Sequence, residues 1–288
     1  MTQPGFVDVL AQASLATLVY AISIPIVAER WRTVLGGVTG ERLPRRPLVL
    51  ASLASSFVNN LTAGPAGDAC RIIAVVKLRF ASASRATAAA LYERVSEIPV
   101  IALMIATAIA VLNRGRVVRL GSSRTIWIIV IAITVVAAGL GLCRRTIAAA
   151  WLRWRERHDL TSIAIAPRVL AQSAAWSVVV WGLDVTRLWL IARAFGVSLS
   201  PAQAAALSAI SVVGGWAPTI GGLGVVEGGL VAGLIAFGVP SGSAIAITAV
   251  ERGISYGLAT AIGACALAAL GGRELWAAAR ATAAGART

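Results

Sequence analysis

Lysine is all but missing from this chain. Of its 26 basic residues only Lys77 is a lysine, and these face 12 acids, which leaves a formal net charge of +14. There is one histidine, His158, and there are three cysteines, Cys70, Cys143 and Cys265, far apart and with no CxxC spacing. A metal site or disulfide framework is therefore not expected, and the cysteines read as small membrane-core residues. No Walker A pattern occurs, so ATP is not expected as a direct energy source. One loop histidine, scattered cysteines and no Asp-rich loop argue against an enzyme acting on lipid headgroups, and neither catalysis nor a cofactor is expected. The N-terminus, MTQPGFVDVL, lacks the basic flank of a signal peptide, so its first apolar run is expected to be a retained helix.

What is abundant is apolar. The chain has 288 residues, of which 58% are hydrophobic, and a mean hydropathy of +0.82. A soluble domain cannot hide that much apolar surface, so lipid is the expected solvent. The arginines cluster between apolar runs, as in cytoplasmic loops facing anionic headgroups, which argues against a nucleic-acid partner. Runs long enough to span occur near 8–28, 86–112, 125–143, 169–192 and 243–270. Residues 47–80 and 201–238 differ: each holds a helical run, a Gly/Pro-rich break and a shorter run, the pattern of a broken or re-entrant hairpin. The fold expected is an all-α integral membrane bundle.

Loop charge sets an expected orientation. ERWRTVLGGVTGERLPRRP and CRRTIAAAWLRWRERHDL are strongly basic and belong on the cytoplasmic side, with Arg273, Arg280 and Arg287 of the tail. This puts the N-terminus outside and the C-terminus inside a multi-pass plasma-membrane protein. The loop 113–124, with four arginines, goes against the rule. Trp31, Trp151, Trp154 and Trp276 read as interface-belt residues, and Arg79 and Arg85 as interfacial anchors.

The two broken hairpins are followed by related text. LYERVSEIP carries Glu93 and Arg94, and AVERGISYG carries Glu251 and Arg252. Arg71 precedes Glu93 by 22 residues, and Glu227 precedes Glu251 by 24. The single domain 1–288 thus reads as two halves of opposite orientation: 1–143 with hairpin 47–80, and 169–272 with hairpin 201–238. A basic linker, 144–168, joins them and a basic tail, 273–288, follows. Inverted repeats with discontinuous helices are a common transporter design.

At these residues the chain resembles a known family. PTIGGLGVVE followed by AVERGISYG is similar to the membrane region of lysylphosphatidylglycerol synthases, the flippase-like family, and NNLTAGPAGDACR with LYERVSEIP is similar to that family's other hairpin. Pro218, Gly221, Gly222, Gly224, Glu227, Glu251 and Arg252 match the second motif. Asn60, Pro65, Gly67, Arg71, Glu93 and Arg94 match the first, with Asp68 where a glutamate is usual. The resemblance implies movement of lipids with charged or sugar-bearing headgroups between leaflets. The large aminoacyl-transferase domain of bifunctional members has no counterpart in these residues.

Charge inside a membrane helix is costly and so usually functional, by about 2.5–3.5 kcal/mol per residue on insertion scales. Arg71, Glu93, Arg94, Glu227, Glu251 and Arg252 are the candidates for substrate binding or coupling. Pro65, Gly67, Pro218, Gly221, Gly222 and Gly224 are candidates for the helix breaks, and Asn60 and Asp68 for secondary roles. Arginine suits a phosphate because its planar fork stays charged and binds two oxygens at once. The break in PTIGGLG is expected to free N–H donors at a helix N-terminus for an anion, with Glu227 in the first turn paired to an arginine of the other half, Arg94 first. Asp184 and Arg187, at i and i+3, read as a self-neutralising pair, and Glu97 as a cap near Pro99. The function expected is a flippase or scramblase for an anionic, phosphate-bearing lipid, such as a polyprenyl-phosphate-linked sugar or a modified phospholipid. The alternatives are a small-anion or solute transporter, and a non-catalytic subunit of a lipid-linked glycan or envelope pathway.

Overall fold

Apolar runs that cross a bilayer must satisfy every backbone N–H and C=O internally, and a helix does this within one segment. A computed structural model of the chain describes residues 6–62, 66–114, 165–217 and 219–271. Pro65, Pro218, the expected span 125–143, the loop 115–124, linker residues 144–164 and the tail 273–288 lie outside the described residues. The chain divides into two compact units, Met1–Val111 with Ile165–Thr288, and Leu112–Ala164. The architecture that follows is that of the first.

All regular structure among the described residues is helical. In chain order the elements are α1 (Phe6–Thr39), α2 (Arg45–Leu61), α3 (Ala66–Lys77) and α4 (Ala83–Arg114), then α5 (Pro167–Ala194) and α6 (Pro201–Gly215). A 3₁₀ turn (Ile220–Gly222) leads to α7 (Val225–Ala236), α8 (Ser241–Arg252), a π-helical stretch (Gly253–Leu258) and α9 (Ala259–Ala269). Leu10–Thr39, Ala83–Val111 and Pro167–Ala194 are each long and apolar enough to cross a membrane. The chain is an all-α membrane protein. Pro25 and Pro99 lie inside α1 and α4; such prolines are tolerated where neighbouring helices or side chains re-satisfy the freed carbonyl.

The two short pairs, α2–α3 and α6–α7, fold back on themselves. Ala51, Ala54 and Val58 of α2 pack on Ala66, Cys70 and Ala74 of α3. Leu207 of α6 packs with Leu230 and Leu234 of α7. With 12 residues each, α3 and α7 are about 18 Å long, well short of a hydrocarbon core about 30 Å thick. α6 starts on a capping box, in which Ser200 Oγ accepts from the Gln203 N–H and Gln203 Oε1 from the Ser200 N–H. Three glycines with positive φ, Gly221, Gly222 and Gly224, turn the chain into α7. An L side chain is strained there, which explains why the break is glycine-rich.

α1 and α5 pack along each other, and α9 lies on α2. α1 runs on through Thr39 rather than ending near residue 28, because its charged turn is sheltered by protein. Glu29 pairs with Arg32 one turn on, and Trp31 is fully buried. Trp31 is therefore a core residue and not part of an interface belt. Of the cysteines, Cys70 is buried and Cys265 exposed; Cys143 lies outside the described residues.

Gly263 sets the approach of α9 to α2. A Cβ there would stand 2.5 Å from Leu53 O and 2.7 Å from Phe57 Cβ. Gly263→Leu is expected to destabilise by about 1–3 kcal/mol through overpacking, whereas Gly228→Ala, which meets nothing within 4 Å, is expected to be neutral or slightly stabilising. Thermal unfolding in detergent checks both; equal midpoints for the two variants would refute the close packing.

Candidate functional site

A guanidinium or carboxylate in a lipid-embedded bundle must find an opposite charge within hydrogen-bond reach or carry a desolvation penalty of several kcal/mol. Two clusters of described charged residues meet this demand, apart from the Glu29–Arg32 pair of α1.

The first joins α1, α3 and α4. Arg30 Nε lies 2.8 Å from Glu93 Oε1, and its Nη1 lies 2.9 Å from Glu97 Oε1. Arg71 Nη2 reaches Asp68 Oδ1 at 3.0 Å and Glu93 Oε2 at 2.9 Å. Arg94 bonds Asp68 Oδ2 at 2.8 Å and Glu97 Oε2 at 3.2 Å. The Arg71 guanidinium also lies 4.0 Å from the centre of the Trp31 ring, a cation–π contact that desolvation strengthens. α5 adds Ser177, which accepts from Arg30, and Trp181, whose Nε1 donates to Glu97. Glu97 is therefore a junction of this network and not a cap near Pro99.

The second cluster joins α5, α7 and α8. Arg187 Nη2 lies 2.6 Å from Asp184 Oδ1 and 2.6 Å from Glu251 Oε1. Ser255 donates to the other oxygen of Glu251. The intrahelical pair expected of Asp184 and Arg187 exists, but Arg187 also ties α5 to α8. Arg252 pairs with Glu227 at 2.7 Å and donates to Gly221 O. Glu227 therefore bonds Arg252, while Arg94 is held by Asp68 and Glu97. Glu227 Oε2 accepts the Gly224 N–H at 2.6 Å. The N-terminus of α7, expected to be open to an anion, thus carries its own side-chain carboxylate there, which the helix dipole favours.

The clusters match in spacing. Arg30 and Glu93 are 63 residues apart, and Arg187 and Glu251 are 64. Asp68 and Arg94 are 26 apart, and Glu227 and Arg252 are 25. Arg30 lies just past the expected first span, 8–28, and outside the expected site; its spacing to a Glu-Arg pair is the signal that finds it.

The two helix breaks meet. The Gly221 N–H points at Thr62 O at 3.5 Å, and a Cβ on Gly221 would stand 2.5 Å from the Tyr256 ring and 2.7 Å from Asn60 O. Tyr256 Oη donates to Asn60 O at 2.8 Å, and Asn60 Nδ2 donates to Tyr256 O and Thr260 Oγ1. Asn59 Oδ1 accepts the Gly67 N–H, holding the start of α3, and no side chain fits at Gly67, where a Cβ would stand 2.4 Å from Ser55 O. Asn60 and Gly67 are thus structural members of the junction.

Beside it lies a cavity of about 300 Å³, between α1, α2, α5 and the π-helical stretch. Its polar wall includes Ser23, Asn59, Asn60, Asp184, Arg187 and Ser255, and Tyr20 and Trp181 supply aromatic faces. Arg187 is 6% exposed, and its Nε is buried with no hydrogen-bond partner. Both its ion pairs fall on Nη2, so another edge of the fork is unused. A π-helical turn so close to this wall is a common mark of functional sites. Among the described residues, no group of His, Cys, Asp and Glu side chains is placed to hold a metal ion.

Comparison with known proteins gives two matches. The family model for the lysylphosphatidylglycerol synthase TM region matches residues 5–263. A UPF0104 membrane protein of Pyrococcus horikoshii is 26% identical over 282 residues, which cover 86% of this chain and 84% of that protein. No solved structure matches the chain.

Arg30 neutralises two buried acids, so its loss strands them. Arg30→Ala is expected to cost about 3–5 kcal/mol. Arg45→Ala, which removes an ion pair to Glu29 from a largely exposed arginine, is expected to cost no more than about 1 kcal/mol. Yield of monodisperse protein and its thermal midpoint in detergent measure the difference; an Arg30→Ala protein as stable as wild type would dismiss the network as a structural element.

Proposed function

The chain belongs to the lysylphosphatidylglycerol synthase TM-region family, and from that premise we propose that it moves an anionic, phosphate-bearing lipid between the leaflets of its membrane. The observation that carries this reading is the Arg187 side chain: buried, on a polar cavity wall, with an unpartnered Nε. A soluble protein could leave such a group to water. In a membrane bundle it is a device for lowering the cost of taking a phosphate oxygen out of water, since a guanidinium stays charged at any working pH and offers several donors in one plane.

The headgroup would enter the cavity and take the free edge of Arg187, with Asn59 and Ser23 within the same wall. The acyl or polyprenyl chains would stay in lipid. The meeting of the breaks at Thr62, Gly221 and Tyr256 would form the floor on which the two halves move. We read these halves as an inverted repeat, with α1 matched to α5, the α2–α3 pair to the α6–α7 pair, and α4 to the run from α8 to α9. The equal spacings of the Arg–Glu and acid–Arg pairs support this, as do the two short hairpins, read here as re-entrant. In such repeats alternating access comes from rocking one half against the other around a fixed site. The Glu227–Arg252 bond, tied to the α7 start and to Gly221, would lock the second break in place.

Purified protein in liposomes, with fluorescent phosphatidylglycerol and polyprenyl-phosphate probes added to the membrane, tests the reading. Wild-type protein is expected to carry at least one of these probes between leaflets. Arg187→Gln is expected to slow this by 10-fold or more, on the order of 1.4 kcal/mol of lost headgroup binding. Glu227→Gln is expected to slow it as well, with the helical content of both variants unchanged. Folded wild-type protein that moves neither probe would favour a small-anion carrier or a non-transporting assembly subunit instead.

A further inference from the structure

The charges of the two clusters do not balance alike. In the first, three arginines (Arg30, Arg71, Arg94) meet three carboxylates (Asp68, Glu93, Glu97), so the charges cancel, although Arg71 Nε and Glu93 Oε2 make no hydrogen bond. In the second, Arg252 and Glu227 close on each other, which leaves Arg187 facing two carboxylates, Asp184 and Glu251. The surplus acid is Asp184. The residue that matches it in the first half, three before Arg30, is Val27, so no equivalent acid exists there.

The surplus is located where it can be used. Asp184 lines the cavity, as does Arg187, while Glu251 lies behind them with its second oxygen held by Ser255. The rest of the cavity wall carries no compensating charge. α1 presents Tyr20, whose ring lies 5.9 Å from the Arg187 guanidinium. α2 presents Ser56, Asn59 and Asn60, and the π-helical stretch presents Ser255. α6 contains no titratable residue at all. One negative charge beyond what Arg187 can offset is therefore left on the wall of the cavity, at the half-buried Asp184.

We infer that the Asp184–Arg187–Glu251 triad is a proton-coupling site, which takes up one proton when an anionic headgroup occupies the cavity and releases it when the headgroup leaves. This rests on the transport reading above and adds its energy source. The argument is one of linkage. A phosphate bound at the free edge of Arg187 would raise the local excess from one negative charge to two. Protonation of one carboxylate of the triad, as a shared property of the pair rather than of either residue, restores the balance, so headgroup binding and proton uptake favour each other. The proton comes from the water on the side from which the headgroup enters, and leaves to the water on the side where it departs. A lipid of charge −1 would then cross with one proton, an electroneutral step driven by a pH gradient and indifferent to membrane potential.

The test uses the full chain in neutral phosphatidylcholine liposomes with fluorescent phosphatidylglycerol, a probe whose phosphate stays singly charged across the working range. A gradient of one pH unit is imposed with the membrane potential clamped, and the probe in each leaflet is read by chemical quenching from outside. Wild-type protein is expected to enrich the probe in the leaflet on the alkaline side, up to about tenfold for one-for-one coupling. Asp184→Asn and Glu251→Gln are each expected to bring that ratio back to one. Probe that moves but settles equally in both leaflets overturns the coupling and leaves the transport reading standing; probe that never moves overturns both. Variants that still enrich the probe overturn the assignment to this triad. A second measurement needs no variant: short-chain phosphatidylglycerol added to weakly buffered wild-type protein in detergent is expected to draw about one proton from solution per lipid bound, and binding without proton uptake refutes the linkage.

Discussion

The structure depends on the neutralisation of charge away from water. Arg30, Arg71 and Arg187 are buried, and each pairs with a carboxylate of another helix. In a bilayer an unpaired charge cannot turn to solvent, so a helix that carries one must be placed where the partner stands. This turns a set of apolar helices, which lipid solvates as well as protein does, into one with defined neighbours. α1 is tied to α4 by Arg30, α3 to α4 by Arg71, and α5 to α8 by Arg187.

Glycine contributes the second constraint. Among the described residues, several close approaches occur where a side chain is absent: Gly67 against Asn59 and Ser55, Gly221 against Tyr256 and Asn60, Gly263 against Leu53 and Phe57. Interruptions of the backbone at this depth need polar partners, because lipid supplies none. Asn59, Asn60, Tyr256 and Glu227 supply them. The charged residues and the breaks are therefore one construction. The Glu227 carboxylate that caps the second break is also the partner of Arg252, so ion pairing and backbone geometry are coupled through a single side chain.

The two clusters meet these demands unevenly. The first cluster is balanced and ties α1, α3 and α4 together. The second leaves an arginine edge without a partner and an acid in excess, both on the wall of a cavity large enough for a small headgroup. An unpartnered donor on a cavity wall is where binding free energy for a ligand can come from, since the ligand completes what the protein leaves open.

Hydropathy alone marked the long helices, because twenty or more apolar residues in succession leave no other stable backbone, and it separated the two short pairs through their Gly/Pro punctuation. The paired Glu-Arg dipeptides were equally visible, being rare charges in apolar text. Partners were not visible. Whether Glu227 meets Arg94 or Arg252, whether Glu97 caps a turn or joins three helices, and whether Trp31 lies at an interface or under Arg71 all depend on which faces meet. Helical periodicity says which residues share a face but not what stands opposite. Arg30 shows the limit plainly: it lies past the apolar run that defines its span, and only the approach of α4 and α5 makes it the centre of a network. Sequence determined the helices, the breaks and the inventory of buried charge, because these follow from local chemistry and the solvent. Tertiary structure decided the pairings, the cavity and the surplus acid, because pairing at 2.6–3.2 Å requires helices distant in the chain to be fixed in one register.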